Sequence, residues 1–348
     1  MIDFAPASDT AQLISRACAL GAGDAGVAGL DGLDATPLGE WLSHGYGADM
    51  DYLQQHLSLR DHPVNLLPGA RAALLIALPY AAAQPGESDV GKVAAYARGA
   101  DYHTVIGEIL WQLSGEITTI YTDAQCRVFV DATPLPEREL ARRAGLGWVG
   151  QHSLLIHPRF GSRFVIGGIL TNLPLLPSIP VSGTCGDCNL CRVACPTSAI
   201  VAPGVVDARR CLSYLTIEHK GATPEEIRPL QGGRLFGCDS CQDACPYNTA
   251  TASGSPKLAA TEAMPDLLAT LCLTDNDFKQ RFRHTSLYRT KRSGLLRNAC
   301  IALGNIGDES NLAALQGMLQ DEDPLVRDHA EWAIERIIEL CGFLDEDG

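Results

Sequence analysis

The chain has 348 residues, 46% of them hydrophobic, and a formal net charge of −14. That length suits two or three domains, and no apolar run approaches the ~20 residues needed to span a bilayer. The acidic balance excludes nonspecific nucleic-acid binding by the whole surface. Met1 to Thr10 shows neither a positive n-region nor an apolar h-region, so a cytoplasmic protein is expected.

Residues 1–180 read as an α/β domain. Ala72–Leu78, Cys126–Val130 and Phe164–Thr171 are short apolar runs bounded by turn signals, the pattern of buried strands. Ile106, Ile109, Leu110, Leu113, Ile117 and Ile120 recur at helical spacing, and a further helix opens at Pro136-Glu137 and ends at Gly145. Asp131 directly follows the run Cys126–Val130. The carboxyl ends of strands are where α/β proteins place ligands. A carboxyl group there, in an apolar surround, keeps its proton near neutral pH and acts as a general acid. Asp131 stands too far ahead of Pro136 to cap the next helix directly.

Two other strings carry less. Gly145-Leu146-Gly147-Trp148-Val149-Gly150 matches G-x-G-x-x-G, but the dinucleotide fingerprint needs a strand before it, and here a helix is predicted. Its glycines still permit close backbone approach to a ligand. Asp101-Tyr102-His103 begins a D-x-H-x2-G string whose glycine comes one residue late, at Gly107. His103 is therefore read as a hydrogen-bonded core or rim histidine.

Pro174, Pro177 and Pro180 form a stiff linker into residues 181–250, where eight of the 13 cysteines fall. Cys185, Cys188, Cys191 and Cys195, followed by Pro196, make a C-x2-C-x2-C-x3-C-P run. Cys238, Cys241 and Cys245, followed by Pro246, make a second run, with Leu235 where its first cysteine would stand. In two-cluster ferredoxins each run gives its last cysteine to the other cluster. Cys185, Cys188, Cys191 and Cys245 are therefore expected to hold one 4Fe–4S cluster. Cys195, Cys238 and Cys241 hold the other, completed by Cys211, the one nearby cysteine left over. Zinc seldom uses such a run, and disulfides need an oxidising compartment. The expected cargo is single electrons. Cys18, Cys126, Cys272, Cys300 and Cys341 read as small core residues.

After a Thr/Ala/Ser/Gly stretch near 249–256 the tail, residues 251–348, reads as helical. One apolar stripe is Leu295, Leu296, Ala299, Cys300 and Leu303; a second is Leu312, Leu315 and Leu319. The third is Val326, Ala330, Ala333 and Ile337, with Asp323 as N-cap and Pro324 at the first helical position. Helices of this length joined by Gly-Asp turns suggest a HEAT-type remnant. Between Lys279 and Arg297 stand seven basic residues and no acid, with aromatics interleaved, a composition suited to a phosphate backbone. No long apolar seam is left over, so a monomer is expected.

Beyond these patterns, the chain resembles the epoxyqueuosine reductases. The resemblance rests on Leu67-Pro68-Gly69-Ala70, Tyr102-His103, Asp131-Ala132-Thr133-Pro134, Glu137-Arg138, Ala144 to Gly150 and Leu154-Leu155-Ile156. It continues through the eight cysteines, Cys211 to Glu218 and Arg289 to Gly294, and so covers nearly the whole chain. It implies an oxidoreductase that removes the epoxide oxygen of epoxyqueuosine at the wobble position of tRNA. It also implies a cobalamin fed by two 4Fe–4S clusters and an external one-electron donor. The fold implied is an α/β cobalamin domain, a ferredoxin-like module and a helical HEAT-like tail. Asp131 takes the place of the proton donor. Arg60, Gly150, Gln151, Ser153, Ser213 and Asp239 fall near the corrin or its tail. The tRNA contacts fall at Lys220, Arg281, Arg283, Arg289, Lys291, Arg292 and Arg297. Some relatives hold a cysteine near the cobalamin around Ala94–Tyr96, and this chain has none there. Kinship with reductive dehalogenases makes a cobalamin-dependent reductase of a small molecule the alternative.

Overall fold

The computed structural model describes residues 4–82, 91–248, 254–260 and 265–345. Its central sheet is built from β1 (Asp24–Gly29), β2 (Ala72–Pro79), β4 (Cys126–Phe129) and β7 (Phe164–Thr171), in the order β1-β2-β7-β4. The short strand β3 (Lys92–Val93) lies outside this sheet, and β5 (Trp148–Val149) and β6 (Leu155–Ile156) form a separate hairpin.

Every residue of β2 is buried, which explains its unbroken apolar run. Alternate side chains serve two cores. Leu74, Ile76 and Leu78 pack with Ile106, Ile109, Leu110 and Leu113 of the helix Tyr102–Ile120. Ala73, Leu75 and Ala77 pack with Leu140 and Ala141 of the helix Glu137–Arg143. Each such Leu or Ile contributes about 1.5–3 kcal/mol. Ile120, counted in the predicted stripe, is 44% exposed at the helix end.

All three pairings of this sheet are antiparallel, so it has no topological switch point. Asp131 owes its position to the turn after β4 rather than to a row of parallel strand ends. β1 escaped sequence reading because Asp-Ala-Gly-Val-Ala-Gly lacks bulky strand formers. Its Gly26 packs so closely on the Ala144 carbonyl that a Cβ would come within 2.0 Å of the oxygen.

Beyond the linker each cysteine run carries one helical turn, Leu190–Val193 and Ser240–Asp243. The chain between the runs is shared: Leu212, Tyr214, Leu215 and Ile227 pack beside Cys211 and Cys238. Ile217, Leu235 and Phe236 join Leu295, Leu296, Ala299, Ala330 and Ala333 in the core of the tail. Arg234–Phe236 also pairs parallel with β3, tying the tail to the first domain. The tail's main helices are Lys291–Ile306 and Pro324–Asp345, and Asp323 caps the second by accepting the Leu325 N–H at 2.9 Å. Residues 249–253 of the predicted Thr/Ala/Ser/Gly stretch lie outside the described residues.

Candidate active site and cluster sites

The two cysteine runs lie beside each other through their one-turn helices. Cys185, Cys188, Cys191 and Cys245 line one small cavity of about 20 Å³, together with Gln151, His152, Pro246 and Tyr247. Cys195, Cys211, Cys238 and Cys241 form a second group. The Cys241 thiol is pushed well up by burial and then by Cys238, Cys211, Asp239 and Cys195. Burial also raises Cys191, Cys211 and Cys245. Backbone N–H groups already face the sulfurs. Ala199 donates to Cys195 Sγ at 3.2 Å, and Tyr214 and Ser213 donate to Cys211. Among the described residues no three His, Cys, Asp or Glu side chains converge on a single ion. Thiols around a void, with N–H donors behind them, suit an anionic cluster better than one zinc.

The hairpin β5–β6 carries the next candidates at its tip. Gly150 N–H donates to the Leu154 carbonyl at 2.8 Å, and Ser153 takes a left-handed φ of 69°. Arg138 Nη1 fastens the tip from below, donating to Ser153 O and Oγ at 2.5 Å each. Gln151 Nε2 donates to Gly186 O at 3.3 Å, while its Oε1 is buried without a partner. Arg60 Nη1 donates to Leu135 O at 2.8 Å, and its Nε is likewise buried and unpartnered. Ser213 sits half-buried beside Cys211. Asp239 is buried, and its Oδ2 accepts the Ala95 N–H at 2.7 Å.

Asp131 lies in an ion-pair chain, not in an apolar surround. Its backbone is left-handed, φ 53°, a strained setting for a non-glycine residue. Asp101 Oδ1 meets His103 Nδ1 at 2.7 Å, and His103 Nε2 meets Asp131 Oδ2 at 3.3 Å. Arg289 Nη1 donates to Asp131 Oδ2 at 3.0 Å, and its Nη2 reaches Glu218 Oε1 at 2.5 Å. The His103 hydrogen bond, and after burial's opposing push the Arg289 charge, hold Asp131 down at about 2. Burial pushes His103 down, but its bonds to Asp101 and Asp131 outweigh that and raise it to about 9. At neutral pH the aspartate is therefore ionised and the histidine carries the proton. This reverses the expectation of a protonated Asp131, because two cations reach it from distant parts of the chain.

Glu137 is the carboxyl that does hold its proton. Burial and then the Asp131 charge push it up to about 8, and its Oε1 has no partner. Sequence reading took His103 only as a hydrogen-bonded core or rim histidine, as its bonds to Asp101 and Asp131 agree, and gave Glu137 no chemical role. The only local signal was their place in the motifs Tyr102-His103 and Glu137-Arg138.

The basic stretch divides in two. Lys279, Arg281, Arg283 and Lys291 are exposed, with Arg281 over the Phe282 ring and Lys291 Nζ 4.8 Å from the Tyr288 ring centre. Arg297 is fully buried and corrects the sequence reading. Its guanidinium donates to the carbonyls of Leu215, His219 and Gly221, at 2.5, 2.9 and 2.8 Å, and holds the 215–221 loop on the helix. Arg292 is corrected likewise. It is 13% exposed and paired at 2.6 Å with Asp321, which is 4% exposed. Neither is offered to an outside phosphate. Lys220 Nζ donates to the Ile217 and Arg289 carbonyls at 3.2 and 3.0 Å, which brings it beside Arg289. A groove beside the Arg16–Glu116 pair lies at the other end of the helix Tyr102–Ile120 and holds none of these residues.

Comparisons with known proteins agree with this geometry. A family model described as "4Fe-4S double cluster binding domain" matches residues 184–248. One described as "Epoxyqueuosine reductase QueG, DUF1730" matches residues 60–132. Epoxyqueuosine reductase of Escherichia coli K12 is 38% identical over 92% of this chain and 87% of its own. That of Xanthomonas campestris is 38% identical over 94% and 96%. A crystal structure of epoxyqueuosine reductase with a tRNA-Tyr epoxyqueuosine-modified stem loop superposes with a TM-score of 0.88. It is 32% identical and covers 95% of this chain and 90% of that one. The enzyme from Streptococcus thermophilus gives 0.86 at 30% identity, covering 94% and 90%. Among the described residues no helix is long and apolar enough to cross a membrane.

Proposed function

Because the chain belongs to the epoxyqueuosine reductase family, we propose that it works as a cobalamin-dependent member with two 4Fe–4S clusters, acting on the wobble base of a tRNA anticodon arm. The chain reduces epoxyqueuosine in tRNA to queuosine. Removing the epoxide oxygen as water takes two electrons and two protons, and the chain must supply a route for both.

The two cysteine groups are the electron route, charged by an external one-electron donor. A cobalamin at the hairpin tip would supply the C–O bond-breaking chemistry. Arg60, Gly150, Gln151, Ser153, Ser213 and Asp239 would hold it. Support for the fit comes from the buried, unmatched Arg60 Nε and Gln151 Oε1, which an amide-rich ligand would satisfy. Asp131 protonates the leaving oxygen, and His103, already charged and in contact with it, supplies that proton. Glu137, the carboxyl that holds its own proton, stands behind Asp131.

The observation that carries this reading is the contact between Arg289 and Asp131. It brings the basic stretch of the tail to the acid of the first domain. A tRNA arm held along Lys279, Arg281, Arg283 and Lys291, with Lys220 alongside, would present its loop to Asp131, where an unstacked base can enter. The paired tail helices are consistent with a HEAT-like element beneath that surface. The layout we propose is 1–180, 181–250 and 251–348, with Ile217, Leu235 and Phe236 of the middle part packed into the tail core. We place the protein in the cytoplasm, with its substrate, as a monomer.

The test is conversion of an epoxyqueuosine-bearing stem loop by the anaerobically reconstituted protein, followed by mass spectrometry. Queuosine should form only with cobalamin and a low-potential reductant both present. No product from protein carrying both clusters and cobalamin would refute the reading. Product without cobalamin would remove that cofactor from it.

A further inference from the structure

The cavity lined by Cys185, Cys188, Cys191 and Cys245 has one wall that the cysteine pattern does not explain. His152 stands in it, between Gln151 and Ser153 at the hairpin tip, and is 4% exposed. Its Nδ1 accepts the Leu154 N–H at 3.2 Å. That fixes the tautomer of the neutral ring, because a nitrogen that accepts has no proton of its own, so the proton sits on Nε2. Nε2 is buried and has no partner, and Gln151 Oε1 in the same wall does not take its proton. Trp148 Nε1, in the cluster of side chains around Cys185 and Cys245, is also buried and unpartnered. A buried donor left unmet is costly, and native proteins rarely leave one so. Two such donors beside one thiol-lined cavity call for an acceptor within it.

We propose that His152 donates its Nε2–H to a sulfur of the cluster held by Cys185, Cys188, Cys191 and Cys245, and so raises the reduction potential of that cluster. The inference rests on the cluster assignment made above. Reduction adds negative charge to the cluster, and a hydrogen bond to sulfur stabilises the more negative state. The donor comes from the loop assigned to the corrin, so it acts on the cluster from the side facing the reaction. It is a positioning and tuning group and touches no substrate.

The experiment is an EPR-monitored redox titration of the full-length protein with both clusters reconstituted and cobalamin left out. In His152→Phe one of the two potentials should fall, by about tenfold in the reduction equilibrium, or ~59 mV for a one-electron couple. The other potential should stay. His152→Gln, whose amide can donate an N–H, should lie nearer wild type. Full iron content with both potentials unmoved in His152→Phe overturns the proposal. A measurement on the wild-type protein guards against a variant that loads no iron. With 15N-labelled histidine, the reduced clusters should show a 15N coupling by pulsed EPR. No such coupling in fully loaded protein overturns the proposal while leaving the cluster assignment intact. A protein that binds no iron at these cysteines overturns that assignment instead.

Discussion

His103→Gln separates the two ways in which Asp131 could obtain a proton. With His103 at about 9, roughly 97% of the rings are charged at pH 7.5. The sign is that of a raised base: the proton is present below about 9 and lost above it. Without the histidine, Asp131 must be protonated from solvent while Arg289 still faces it at 3.0 Å. Even at the ordinary aspartate value of ~3.9, on the order of one molecule in 10³–10⁴ would then hold the proton at pH 7.5. General acids contribute typically 10²–10⁴-fold, so single turnover of the stem loop should slow by about 10²–10³-fold. Measured with excess reductant from pH 6 to 10, the wild-type rate should be level to about pH 8 and fall above about 9. The variant should lose that alkaline limb and speed up toward acid pH, with stem-loop affinity kept. A His103→Gln rate within threefold of wild type, with the alkaline limb in place, would refute the relay.

The other predictions concern what holds the site in place. Arg297→Met leaves the Leu215, His219 and Gly221 carbonyls without a donor. Even with a buried charge removed, this should cost about 3–5 kcal/mol in a denaturant titration. The folded fraction should bind tRNA as wild type does, and a stable variant with weakened binding would restore Arg297 to the interface. Lys279→Ala, Arg281→Ala and Arg283→Ala together should weaken stem-loop binding and lower its log–log salt slope by roughly 2 to 3. An unchanged slope would move the interface elsewhere. Cys211→Ala should lose roughly half the iron, as one of two clusters fails, and full iron retention would break the ligand assignment.

What could be read in the sequence follows the range of the interaction involved. The cysteine spacing is legible because a cluster's ligands are constrained by the few residues between them. The strand β7 was predicted at Phe164–Thr171, its observed bounds, because burial on both faces leaves a continuous apolar run. Asp131 was legible as a residue at a strand end, but its charge state was not. His103 and Arg289 approach from 28 and 158 residues away, and no window of sequence contains both. Arg297 and Arg292 were misread for a related reason: composition counts charges without asking which way they face. A signal was present for Arg297, which stands one residue after Leu296 and three before Cys300 in a helix buried from Gly294 to Gly304.

The ion-pair chain also explains why three distant segments are needed for one acid. Asp101 and His103 open the helix Tyr102–Ile120, Asp131 follows β4, Glu218 ends the helix after Cys211, and Arg289 leads into the first long tail helix. Carboxylates and cations alternate along it, so each member stabilises its neighbours' charges, and Asp131 stays unprotonated while Arg289 is in place. On the proposed reading, an incoming tRNA would compete for Arg289 with its phosphates. Once that guanidinium turns to a phosphate, Asp131 loses one of its two cations, its affinity for a proton rises, and the proton nearest to it is the one on His103. The acid would then be loaded only after substrate has docked, which keeps it from discharging a reduced centre into water. Arg289→Gln should break this order. It should raise the rate of reductant consumption without substrate, while stem-loop turnover per reductant consumed falls. If both rates in Arg289→Gln match wild type, Arg289 is a tether between domains and no part of the acid's control.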